Sequence, residues 1–285
     1  MFAFNSIRKF LNKYNFLIYT FLTILLLGAC FFESFVFISV AYILFIGIFI
    51  DETYLLGILV FIYPYIDLFS SVLIPYTNMF DLFRFILIFN ILIRHTIVSI
   101  KEKAKLNLKI VITFLVILVY LIIPRPNNKI SFFIILYCLF DLLLVYILVQ
   151  KRLKINYFFI IEIFAISLII SCLMSFLRPL SVRLQEIIVE HRLEMKNIYR
   201  FSGLVGPNHL GMLVVTICSL LCISKYLNRI NNLKFVLYNS ILVYFGVQTI
   251  SRSFALSIFI MYSTFLILYL TKYRKNVLID LVYLL

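Results

Sequence analysis

The chain has 285 residues, of which 64% are hydrophobic and only 13% charged, and its mean hydropathy is +1.11. A soluble domain carries about 25% charged residues, so a water-soluble globule is excluded and a multi-pass membrane protein is indicated. The net charge of +14 is read as lysines and arginines marking cytoplasmic loops, not as a nucleic-acid footprint.

Lipid offers backbone groups no partner outside the segment, so apolar runs of roughly 17–25 residues should be helices. Alternating strands of barrel type are absent from the sequence. In chain order, spans are expected at 16–32, 35–50, 54–73, 79–94, 109–124, 130–149, 156–176, 207–224, 235–249 and 253–270. The first ends in Leu-Leu-Gly-Ala-Cys at Cys30, the form of a lipoprotein cleavage box. It continues into a second apolar run rather than a soluble domain, and so reads as a span. Residues 277–285 open an eleventh run, about 14 Å long at 1.5 Å per residue, against a hydrocarbon core of about 30 Å. A truncated product or fragment is the expectation on that ground.

The expected fold is all-α: a polytopic integral membrane protein with about ten transmembrane helices plus the start of an eleventh. It forms a single multi-pass domain over 1–285, with one longer outer loop at 177–206 and inner loops at 95–108, 150–155, 225–234 and 271–276. With the N-terminus inside, 17 of the 26 lysines and arginines fall on the inner face and eight on the outer. Five of those eight lie in the interval 178–210, so the inside rule leaves that interval's charge unexplained. The five cysteines, Cys30, Cys138, Cys172, Cys218 and Cys222, all sit within apolar runs and read as small buried hydrophobes, with no zinc site or disulfide framework. No metal or cofactor is expected.

The interval from Arg178 to Leu210 is the longest polar stretch in the chain. Leu180, Leu184, Ile187, Ile188, Met195 and Ile198 share one side at 100° per residue. Arg183, Glu186, Glu190 and Asn197 fall opposite, which predicts an amphipathic helix along the outer surface. Gly206-Pro207-Asn208 reads as the start of the next span, because proline is favoured in a first helical turn. Such a start offers free N–H groups and partial positive charge to an anion. Arg200 lies just upstream, and Asn208 and His209 lie in the first turn. A second helix start follows at Ser251-Arg252-Ser253, joined to the ninth span with almost no loop. Topology places both starts on the outer side, where they suit a lipid-linked phosphate or pyrophosphate. The in-membrane charges Asp67, Asp81, Arg84, Asp141 and Glu162 are further candidates. Asp67 with Arg84 reads as a structural pair or an extension of the anion site. Asp141 and Glu162 read as helix-packing groups or an ion path.

The run Arg200-Phe-Ser-Gly203-Leu-Val-Gly-Pro207-Asn208-His209, followed by Ser251-Arg252-Ser253, resembles the O-antigen polymerase and O-antigen ligase superfamily of bacterial polysaccharide assembly. The resemblance covers about 178–270; the interval from Gly203 to Pro207 is one residue shorter than the common pattern, and the outer loop that carries a histidine in the ligase branch is not reached. The resemblance implies a metal-independent glycosyltransferase in the bacterial plasma membrane, with its N-terminus cytoplasmic and its site on the outer face. It would polymerise oligosaccharide repeat units from an undecaprenyl-pyrophosphate-linked glycan onto an acceptor glycan, alongside other polysaccharide assembly proteins. Arg200, Arg252, Asn208, Arg178 and Arg84 are the expected pyrophosphate contacts. Gly203, Pro207, Ser251 and Ser253 shape the motif, and Glu190, His191 and His209 are the candidate general bases. The alternatives are ligase-type transfer, a flippase or transporter for lipid-linked sugars, and an inactive fragment.

Overall fold

The computed structural model describes residues 10–11, 13–70, 73–74, 77–101, 144, 155–177, 184–191, 194–201, 204, 207–249 and 252–284. The described residues are predominantly helical and divide into two compact units, Met1–Tyr157 and Phe158–Leu285. The expected fifth and sixth spans, apart from Leu144, lie outside the described residues.

The first unit contains α1 (Asn15–Ala29), α2 (Ser34–Phe49), α3 (Glu52–Ile62), α4 (Ile66–Ser70) and α5 (Met79–Lys101). A minimal antiparallel pair, β1 (Leu73–Ile74) with β2 (Thr77–Asn78), joins α4 to α5. α1 packs on α2, and α5 packs on α2, α3 and α4. The core is apolar and aromatic: Leu22, Leu26, Ile43, Leu55 and Tyr65 are fully buried, and Tyr19 and Phe61 pack ring against ring at 5.4 Å. The expected third span, 54–73, is in fact broken. Pro64 sits in a 3-10 turn at Tyr63–Tyr65 between α3 and α4, because proline has no N–H to continue the ladder. α5 runs through Lys101, so the inner loop expected from residue 95 begins later.

One side chain ties this unit together. Arg94 on α5 donates to the carbonyl of Gly47 at 2.7 Å, to that of Ile48 at 3.2 Å and to that of Ile50. These are carbonyls of the last turn of α2 and its cap, which have no partner within the helix. A cation there also meets the negative end of the helix dipole. Asn90, one turn earlier, accepts from Arg94 Nε at 2.8 Å and so holds the guanidinium in place. Glu52, at the start of α3, lies 3.7 Å away. A single arginine therefore holds the end of α2, the start of α3 and the middle of α5.

The second unit contains α6 (Tyr157–Met174), β3 (Leu184–His191), β4 (Glu194–Phe201), α7 (Pro207–Tyr226), α8 (Asn232–Gln248) and α9 (Arg252–Leu284). α7 packs on both α8 and α9. The α7–α8 connection is set by local chemistry. Asn228 adopts a positive φ of 55°, while Arg229 N–H reaches the carbonyl of Ser224 at 2.8 Å and Asn228 N–H that of Lys225 at 2.9 Å. Those two bonds close the helix in a Schellman motif. Asn231 then caps α8, its side chain accepting from Lys234 N–H at 2.7 Å.

Two expectations are corrected here. The amphipathic helix expected over 179–199 is instead a β-hairpin, in which Leu184 pairs with Phe201, Gln185 with Arg200 and His191 with Glu194. Ile187, Ile188, Val189 and Ile198 are β-branched, lose side-chain freedom in a helix and suit a pleated ribbon. The inner loop expected at 271–276 is helical, because α9 continues unbroken for 33 residues. Lys272, Arg274 and Lys275 interrupt the hydropathy, but lysine and arginine are good helix formers. At 1.5 Å per residue α9 is about 50 Å long, well beyond a core of about 30 Å.

Among the described residues, three helices are long and apolar enough to cross a membrane: Tyr157–Leu177, Asn208–Tyr226 and Ser253–Lys272. Asn15–Ala29, Ser34–Phe49 and Glu52–Tyr65 are apolar but shorter. Large apolar side chains cover the outside, Phe259 being 70% and Phe45 64% exposed. Such a surface suits hydrocarbon surroundings and marks a membrane protein.

The Arg94 contacts lead to a first prediction. Arg94→Ala removes a charged donor from three carbonyls, of which only that of Gly47 keeps another, Asn90 at 3.4 Å, and lowers stability by roughly 2–3 kcal/mol, whereas Glu52→Gln costs under about 1 kcal/mol. Heat-induced unfolding of the two variants in detergent measures the difference, and equal midpoints would show that the carbonyl contacts carry no weight.

Candidate functional site at two helix starts

The site is built on close packing between the beginnings of α7 and α9 and the end of α8. Phe254, in the first turn of α9, is buried. Its ring lies against Gly246 of α8 so closely that a Cβ on that glycine would overlap the ring. A Cβ on Gly211, in the second turn of α7, would stand 3.5 Å from Phe254 Cβ and 3.5 Å from Thr249 Oγ1. Thr249 is fully buried and donates to the carbonyl of Gly246 at 2.7 Å, serving an end carbonyl of α8. Gly246 thus makes room for the Phe254 ring, and Phe254 brings the start of α9 against α7 at Gly211.

A second cluster brings in the hairpin. Phe201, the last residue of β4, is buried. Its ring centroid lies 5.6 Å from Phe245 on α8 and 5.8 Å from Phe176 beyond α6. Adjacent aromatic rings at this spacing add about 0.5–1.5 kcal/mol per pair beyond burial. Arg200 directly precedes this anchor, and Phe245 directly precedes Gly246. The base of the hairpin and both helix starts therefore gather at one end of the second unit.

Of the residues singled out in the sequence, Arg200, Pro207, Asn208, His209, Arg252 and Ser253 belong to this end. Asn208, His209 and Ser253 are exposed there, in the first turns of α7 and α9. Glu190 and His191 do not gather with them. His191 pairs with Glu194 at the far end of the ribbon, six residues along β3 from the Gln185–Arg200 pair. At about 3.3 Å per residue the two pairs are about 20 Å apart. Arg84 is half-buried on α5 in the first unit, where α4, which carries Asp67, packs on α5. Arg178, Gly203, Ser251 and Asp141 lie outside the described residues.

No family model matches the chain, and no curated protein or solved structure matches it.

Glu162 is accounted for by packing. It accepts from Lys234 Nζ and, at 3.3 Å, from Tyr238 OH, tying α6 to α8. The hydrogen bond to Glu162 raises the Lys234 ammonium above its ordinary value. A raised value means that the contribution is fully present below the ordinary lysine range and is lost as pH rises through the raised one. Cys172, Cys218 and Cys222 are buried thiols, as is Cys30 in the first unit; Cys138 lies outside the described residues.

The residues that sequence reading passed over are Phe201, Phe254, Gly211 and Gly246, which position the candidate groups without reacting. Gly246→Val forces Phe254 out of its seat and is expected to cost about 1–3 kcal/mol. Val247→Ala, at a position 58% exposed, should stay within about 0.5 kcal/mol. Unfolding midpoints in detergent compare them, and a neutral Gly246→Val would remove the packing basis for the paired helix starts.

Proposed function

We propose that the chain binds a lipid-linked pyrophosphate at the paired starts of α7 and α9, as a glycan polymerase of surface-polysaccharide assembly. The observation that carries the reading is the Gly211–Phe254–Gly246 contact, which sets two helix N-termini side by side. Each start carries roughly half a positive charge from its helix dipole. Arg252 begins one of these helices, and Arg200 stands one residue from the aromatic anchor of the hairpin. In this reading about ten spans cross a bacterial plasma membrane with the N-terminus cytoplasmic, and the site opens at the outer face.

The chemistry follows from charge. When the acceptor hydroxyl attacks the anomeric carbon, the bond to the pyrophosphate oxygen breaks and negative charge grows on the leaving group. Prearranged donors at that position stabilise the transition state more than the bound donor lipid. An arginine offers a fixed fork of donors that fits phosphate oxygens two at a time. The hydroxyl must also lose a proton. His209, in the first turn of α7, is the base candidate that shares the site, whereas Glu190 and His191 stand at the distant end of the ribbon. A base must come within hydrogen-bond reach of the proton it takes, so the role falls to His209.

The expected mutational pattern is specific. Arg200→Ala and Arg252→Ala each lower polymer formation at least about 100-fold with unchanged protein levels. His209→Ala also lowers it severely, whereas Glu190→Gln and His191→Ala retain most of it. Chain-length profiles of surface polysaccharide from complemented deletion strains provide the measurement. Long polymer from both arginine variants would overturn the reading, and loss confined to Glu190→Gln would move the base to the ribbon tip.

A further inference from the structure

No further inference is drawn: the strongest candidate, the apolar groove between α7 and α9 lined by Val215, Cys222, Ile260 and Leu268, carries nothing, because nothing in the structure shows what covers it.

Discussion

A peptide group that leaves a helix in this protein has to find another partner within the chain, because hydrocarbon supplies none. Among the described residues, several helix ends are resolved in that way. The end of α2 is served by Arg94, and the end of α8 by Thr249. The end of α7 is closed by its own Schellman turn. The polar interval between α6 and α7 pairs with itself as a two-stranded ribbon. These solutions fall where helices stop, and there they also determine which helices meet. Arg94 gathers three helices of the first unit. Phe254 lies against both Gly246 and Gly211 in the second.

That last contact is what makes the candidate site more than two separate helix starts. One helix N-terminus is a weak anion site, and screening limits its reach to the first turn. Two starts held together by a buried ring add their fields, and in the proposed reaction neither would have to move as charge developed between them. Preorganisation of this kind is what transition-state stabilisation requires. It also gives glycine a role at Gly246 that is steric rather than conformational, since a single added carbon there would overlap the Phe254 ring.

The helices were largely legible from hydropathy, and the starts of α7 and α9 from Pro207 and Arg252 at their N-termini. The hairpin was not. Its apolar residues fit both a 3.6-residue and a two-residue period, and Ile187-Ile188-Val189 lies astride the two. Only the β-branched character of that run favours the ribbon. The continuity of α9 was hidden for the opposite reason: Lys272, Arg274 and Lys275 look like a loop on a hydropathy scale while favouring helix on a conformational one. Pro64 was visible in the sequence, yet the apolar run around it outweighed it. The anchors Phe201 and Phe254 carried no signal at all. They are two of 31 phenylalanines, and nothing short of the packed structure distinguishes them from the rest.

The central claim is that a lipid-linked pyrophosphate occupies the paired helix starts from the outer side of the membrane. Ser253, exposed in the first turn of α9, is the place to ask. In a cysteine-free background, Ser253→Cys is treated in whole cells and in inverted vesicles with a membrane-impermeant maleimide, with and without added undecaprenyl pyrophosphate. The account predicts labelling from the outer side alone and at least about ten-fold protection by the lipid. Labelling only from the cytoplasmic side, or at the same rate with and without the lipid, would contradict it.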